Sequence, residues 1–191
     1  YFYPDDTMDM KEYNKYFIDN NITLDEYRLN IINTTIKSIY KLIKSYDENI
    51  IFSISPDGNI ENNYEIHYAD VKTWLTESGY IDIIMPQVYY GFDNELKPFE
   101  KTINEWNSLI TNDVKLVPII AFYKVGLEDN NALSGKYEWV NNSNIISREI
   151  NYSKTLSNYY GYTLFRYDYL FNTNLFTNNT KDFEIKDMNK S

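Results

Sequence analysis

Short apolar segments alternate with helical segments along this chain. The apolar segments that read as buried strands lie at residues 50–55, 80–85, 115–122 and 161–167. Amphipathic spacing, capping residues and prolines predict helices over residues 23–46, 68–77, 98–110 and 145–158. Strand starts roughly 30 to 45 residues apart, with a helix between each pair, are typical of repeated β–α units and predict a parallel sheet.

Polar or aromatic residues follow each strand at its carboxyl end. Residues 1–4 read as the end of a further strand, so the clusters are Tyr1 and Tyr3, Ser55 and Asp57, Gln87 and Tyr89, Tyr123 and Lys124, and Arg166 with Tyr167 and Asp168. In an α/β fold of parallel (β/α) barrel type, the TIM type, ligands bind at that end of the strands. Five strand positions are too few to close eight strands, so we expect residues 1–171 to form the second half of a barrel. Residues 172–191 are polar and weakly periodic, and we expect a disordered tail there.

The segment at residues 80–91 changes abruptly from apolar to polar and aromatic residues. Its apolar half is bounded by Gly79 and Pro86, and Gln87, Tyr89 and Tyr90 follow. An amide between two phenols offers hydrogen bonds and flat faces, which suits a polyhydroxylated ligand. The alternative is that the tyrosines only cover the core while the amide satisfies backbone groups.

Composition narrows the possible functions. A net charge of −10 without a basic patch argues against nucleic acid and anionic membranes as partners, and no apolar run is long enough to span a bilayer. The chain has no cysteine and one histidine, His67, so thiol chemistry and histidine triads are disfavoured, and we predict neither a metal nor a cofactor. Acid–base chemistry would fall to carboxylates, tyrosines or lysines. Because the sequence starts at Tyr1, we expect a processed product or a fragment.

Several motifs, taken in order, resemble the family-10-like glycosyl hydrolases. They are Tyr-Phe-Tyr-Pro at 1–4, Ile-Ser-Pro-x-Gly-Asn at 54–59, Tyr-Ala-Asp-Val-Lys-Thr-Trp at 68–74, Met-Pro-Gln-Val-Tyr-Tyr at 85–90, Ala-Phe-Tyr-Lys-Val-Gly at 121–126 and Phe-Arg-Tyr at 165–167. The resemblance covers roughly residues 1–171. It implies a bacterial, usually exported, TIM-barrel protein acting on peptidoglycan glycan strands stripped of their peptides.

The resemblance also implies where the catalytic acids lie. In the family, a strand ending in an Asp pair directly precedes the Tyr-Phe-Tyr-Pro motif, so the acid–base carboxylates are expected upstream of Tyr1. A second departure lies at residues 26–30, where the family often has Trp-Arg-Arg-x-Asn and only Arg28 and Asn30 match.

Within the chain, each candidate residue has a functional and a structural interpretation. Glycoside hydrolysis usually needs two carboxyl groups about 5 to 9.5 Å apart. Asp57 sits in a Pro-Asp-Gly turn signal, for which a turn role is favoured, and Asp168 is equally consistent with an ion pair to Arg166. Lys124 is the stronger candidate, since a lysine ending an apolar strand would point into the pocket. The three tryptophans, Trp74, Trp106 and Trp139, are expected to pack in the core.

Three hypotheses remain open. The first is half of a TIM-barrel glycosidase acting on cell-wall or related polysaccharide, with Lys124 and Asp168 as catalytic candidates. Its substrate-binding residues would be Tyr1, Tyr3, Ser55, Gln87, Tyr89, Tyr90, Tyr123, Lys124 and Arg166. The second is a non-catalytic carbohydrate-binding or structural barrel module. The third is a complete doubly wound α/β domain, which the absence of a glycine-rich phosphate loop disfavours.

Overall fold

The strands of this protein are short and run parallel. The computed structural model describes residues 8–171 and 179–189, and the predicted strand end at residues 1–4 lies outside them. The strands are β1 (Ser53–Ile54), β2 (Ile83–Ile84), β3 (Gln87–Val88), β4 (Lys115–Leu116), β5 (Ile119–Ile120) and β6 (Thr163–Leu164). All four pairings between them are parallel, which confirms the predicted sheet type.

Two prolines divide what are in effect two continuous strands. Pro86 separates β2 from β3 and Pro118 separates β4 from β5, because proline has no N–H to give to the ladder. Backbone bonds still run across both breaks, from Ile119 N to the Pro86 oxygen (2.9 Å) and from Thr163 N to the Pro118 oxygen (3.0 Å). The described residues therefore supply four strand positions side by side in chain order, and these four do not close into a barrel.

The helices follow the predicted pattern at most positions. They are α1 (Met10–Asn20), α2 (Leu24–Tyr46), α3 (Ile60–Glu65), α4 (Val71–Thr76), α5 (Phe99–Leu109), α6 (Glu138–Asn141), α7 (Ile145–Ser153), α8 (Tyr167–Phe171) and α9 (Asn179–Met188). Short 3-10 turns occur at Phe122–Lys124 and Leu133–Gly135. At the start of α2, Glu26 N donates to Thr23 Oγ1 at 3.2 Å and Thr23 N donates to Glu26 Oε2 at 2.8 Å, so Thr23 and Glu26 form a capping box. None of the helices described is long and apolar enough to cross a membrane.

Two apolar clusters pack the helices onto the sheet. One contains Trp74 and Trp106 with residues of α4, α5, β2 and β4, and the other contains Trp139 with residues of β5 and α7. The three tryptophans are each at most 2% exposed, which confirms the prediction that they pack in the core. The helices thus pack against one face of the sheet, and loops surround the carboxyl ends of the strands.

The structure corrects three local predictions. Residues 59–66, for which the sequence predicts no helix, contain α3, whose N-cap Asn59 accepts from Glu61 N. The final strand is shorter than predicted, since α8 begins at Tyr167.

The third correction concerns the predicted disordered tail, which is wrong for residues 179–188 because they form α9. Its periodicity is weak, and the helix instead depends on contact with α7, onto which Ile185 and Met188 help it pack. Residues 172–178, 190 and 191 lie outside the description.

Candidate functional site

A cleft of about 310 Å³ opens where β3 and the 3-10 turn Phe122–Lys124 end. It lies at the carboxyl end of the parallel strands, as predicted. Its lining combines phenols, amides and charged groups: Asp57, Gly58, Gln87, Tyr89, Tyr90, Asn94, Leu96, Lys97, Lys124, Asp129 and Asn131. The structure thus brings five of the sequence-predicted residues into one cleft, namely Asp57, Gln87, Tyr89, Tyr90 and Lys124.

The wall formed by the loop after β1 is fixed by a buried amide. Asn63, 1% exposed, accepts from Asp57 N at 3.0 Å, and its Nδ2 donates to the carbonyl oxygens of Asp57 (2.7 Å) and Asn59 (3.0 Å). Trp106 Nε1 donates to the Gly58 oxygen at 2.8 Å. Neither Asn63 nor Trp106 was predicted to support the site, since nothing in a local pattern connects them to this loop.

A second cleft of about 500 Å³ adjoins the first. The two share Asp57 and Gln87, and the second is also lined by Ile54, Ser55, Pro56, Asn63, His67, Ala69 and Trp74. Gln87 Nε2 donates to Ser55 Oγ at 3.2 Å, so the amide is oriented by a neighbouring strand end. Together the clefts form a groove whose midpoint is the Asp57–Gln87 pair, which also forms a parallel β-bridge.

Lys124 points into the first cleft, where it joins two elements. Its Nζ donates to the backbone carbonyl oxygen of Tyr89 at 2.7 Å and to Asp129 Oδ2 at 2.6 Å. The side chains of Lys124 and Asp129 are only 16% and 4% exposed. The predicted orientation of Lys124 is therefore correct, and its partner is a carboxylate that sequence reasoning missed.

Aromatic rings stack behind the cleft. Tyr89 lies against Phe165 with ring centroids 5.5 Å apart and meets Tyr123 edge-on at 5.7 Å. Burial raises the pKa of Tyr89 to about 12, with a smaller effect from Tyr123. Burial likewise raises the pKa of Tyr90 to about 12, helped by the nearby Asp57 charge. Both phenols that line the cleft therefore stay protonated at neutral pH and can donate hydrogen bonds.

Two of the predicted site residues pair with each other outside the clefts. Arg166 Nη2 contacts Asp168 Oδ2 at 2.6 Å, and the side chains are 54% and 37% exposed. Neither lines a cleft described above, and the ion-pair interpretation of Asp168 fits this geometry. Tyr123 supports Tyr89 from behind and does not line the clefts. Tyr1 and Tyr3 lie outside the described residues.

A buried acid at the start of α6 holds the loop that follows β3. Glu138 accepts from Phe92 N and Asp93 N, both at 2.9 Å. Burial is the main cause that raises its pKa. Gly135 also packs against this loop, and it lies so close to the Asp93 carbonyl that an added Cβ would overlap it. The cleft mouth is therefore preorganised.

A further cavity, of about 350 Å³, lies at the opposite end of the strands. Asp82, Asp113 and Lys115 are the charged residues that line it. The Asp82 carboxylate already binds Lys44 (2.8 Å), Phe52 N (2.7 Å) and the Tyr40 hydroxyl (3.2 Å). Since the amino end of a parallel sheet usually serves stability, we regard this cavity as structural. Within residues 8–171 and 179–189, no three acidic or histidine side chains are grouped closely enough to hold a metal ion.

The sequence is similar to known glycosyl hydrolases. It is 28% identical over 132 residues to the glycosyl hydrolase YngK of Bacillus subtilis, covering 59% of this chain and 26% of that protein. It is 27% identical over 162 residues to the glycosyl hydrolase DigH of Escherichia coli O6:H1, covering 76% of this chain and 36% of that protein. The chain thus spans about a quarter to a third of the length of these curated relatives. The family profile described as glycosyl hydrolase-like 10 matches residues 2–139, more than half of the chain, and the chain therefore belongs to the glycosyl hydrolase-like 10 family.

Proposed function

We propose that this chain is the carboxyl-terminal half of a TIM-barrel glycoside hydrolase that acts on bacterial cell-wall glycan. Four strand positions lie side by side in chain order: β1, then β2 with β3, then β4 with β5, then β6. Successive units of a (β/α) barrel have this order, whereas the strand order of a doubly wound sheet reverses. Family membership supports the glycosidase assignment. As a glycan-degrading protein of this family, it would be exported.

The observation that carries this proposal is the composition of the groove at the strand ends. Gln87, Tyr90 and Asn131 offer neutral donors and acceptors, and Tyr89 and Tyr90 stay protonated. Such groups bind sugar hydroxyls, and aromatic faces pack against the apolar faces of pyranose rings. A groove with this lining suits a polysaccharide better than a nucleotide or a peptide.

The residues of this chain would bind and orient the glycan. Gln87 would contact sugar hydroxyls from a position fixed by Ser55, while Lys124 would hold the Tyr89 strand end and Asp129 in place. By the resemblance of residues 1–4 to the family motif, the acid and base would be an Asp pair upstream of Tyr1. Those carboxyls would protonate the glycosidic oxygen and activate the attacking group.

Binding to peptide-free glycan strands tests the proposal directly. We expect calorimetric binding of these strands by residues 1–191, and at least roughly tenfold weaker binding by Gln87→Ala and Tyr90→Phe because each loses a hydrogen bond to the sugar. Tyr46→Phe is the matched control, since Tyr46 is 88% exposed at the end of α2. Absence of binding, or equal loss in the control, would refute the assignment of the groove.

A non-catalytic carbohydrate-binding module is the second candidate. Of the two carboxylates in the first cleft, Asp129 is paired with Lys124, and hydrolysis usually uses two carboxyl groups. Determining which residues the gene encodes ahead of Tyr1, and measuring reducing ends released by that polypeptide, separates the candidates. Glycan binding without cleavage, and without an encoded Asp pair, would favour the binding module.

A further inference from the structure

The two carboxylate oxygens of Asp57 have different surroundings. Oδ1 accepts from Asn59 N at 2.7 Å, as in an Asx turn. Oδ2 lies 3.8 Å from His67 Nε2 and accepts no hydrogen bond from the part of the chain that the structure describes. With the side chain 34% exposed, Oδ2 retains acceptor capacity at the cleft surface.

The loop that carries Asp57 is held more firmly than a turn requires. Asn63 binds the Asp57 backbone on both sides, and Trp106 holds the next residue, Gly58. Asp47 provides a comparison within the same chain. Its Oδ1 accepts from Asn49 N at 2.9 Å, but this turn is exposed after α2 and lines neither of the two clefts.

Asp57 also lies where the two clefts meet. Both are lined by Asp57 and Gln87, so a polymer that crosses from one cleft into the other passes Asp57 Oδ2. The clefts, about 310 and 500 Å³, fall in the range of small-ligand sites.

We propose that Asp57 is a substrate-contacting residue. Its Oδ2 accepts a hydrogen bond from a hydroxyl of the glycan at the junction of two sugar-binding subsites, and the inference rests on the proposed function of the groove. A charged acceptor fixed before the ligand arrives loses little conformational entropy on binding. The role is separate from the turn, because the turn uses Oδ1.

The substitution Asp57→Asn separates the two roles. Asparagine keeps the oxygen that accepts from Asn59 N and replaces the free acceptor with an NH₂ donor. We expect peptide-free glycan strands to bind roughly 10- to 100-fold more weakly to D57N in calorimetry, since hydrogen bonds to charged groups are the stronger ones. The melting temperature should match that of the unsubstituted chain. Asp47→Asn, the matched control, should change neither quantity.

Each of the other possible results of this experiment decides whether Asp57 contacts the glycan. D57N that binds glycan as well as the unsubstituted chain overturns the contact while leaving the proposed function standing. D57N that melts as early as Asp57→Ala and loses binding with it assigns Asp57 to the turn alone and also overturns the contact. If the unsubstituted chain binds no glycan strands, the proposed function fails, and the inference fails with it.

Discussion

The docking of α9 onto α7 should depend on pH through one carboxyl group. Glu184 is 1% exposed, and its oxygens accept from Ile145 N at 2.7 Å and Ile146 N at 3.2 Å. These amides are at the amino end of α7, where N–H groups lack intrahelical partners. Burial nevertheless raises the pKa of Glu184 from 4.5 to about 7, against the effect of the amides, and Asp187 adds to the rise.

The sign of this pH dependence follows from the direction in which the pKa of Glu184 shifts. A carboxyl whose pKa is higher in the docked state binds its proton more tightly there, so its contribution is fully present below pH 4.5. That contribution is lost as the pH rises through about 7. Between pH 5 and pH 8 the loss amounts to about 2.5 kcal/mol, at about 1.36 kcal/mol per pKa unit. Docking of α9 should therefore be weaker at pH 8.

Hydrogen exchange at the amides of Ile145 and Ile146 measures this effect. After correction for intrinsic exchange rates, their protection should fall by roughly 50- to 100-fold between pH 5 and pH 8, which is that free energy expressed as a ratio. Glu184→Gln cannot titrate and should flatten the dependence. The pKa values of the buried Glu138 and Glu149 are also raised, so the difference between the two proteins isolates Glu184. Equal slopes in both proteins would refute the reasoning.

Two further substitutions test the walls of the cleft. Gly58→Ala places a Cβ on the Gln87 carbonyl oxygen and should cost roughly 1–3 kcal/mol in urea unfolding, whereas Gly161→Ala, which meets nothing within 4 Å, should cost well under that. Equal costs would contradict the close approach. Lys124→Met leaves Asp129 buried without its partner and should cost roughly 3–5 kcal/mol, most of which Lys124→Met with Asp129→Asn should restore. If Lys124→Met alone unfolds like the unsubstituted chain, the Lys124–Asp129 pair is ruled out as a structural element.

Local patterns were enough to predict much of the fold. The capping box at Thr23 marks the start of α2, and Pro98 precedes α5 by one residue, because helix ends are specified by neighbouring side chains and backbone angles. The alternation of apolar and amphipathic segments predicted the parallel strands and the helices between them. The recurrence of polar residues after the strands predicted that Gln87, Tyr89, Tyr90 and Lys124 share one cleft.

The tertiary structure decided how those residues are used. Arg166 and Asp168 follow a strand as Lys124 does, yet they pair with each other near the surface, because α8 begins at Tyr167 and carries Asp168 in its first turn. Lys124 instead meets Asp129, which lies in a loop with no periodic signal. Sequence spacing indicates where a residue stands along its own element and is silent on which distant group will face it.

The remaining features depend on contacts between residues far apart in the chain. Trp106 and Glu184 act 48 and 39 residues from their partners, Gly58 and Ile145. The sequence by itself determined the β–α order, the family and the end of the sheet where ligands are expected. Only the tertiary structure decided which carboxylate lies where the two clefts meet and which weakly periodic segment becomes a helix. The physical reason is that burial and hydrogen bonding between distant groups, unlike helical and strand periodicity, leave no regular local pattern.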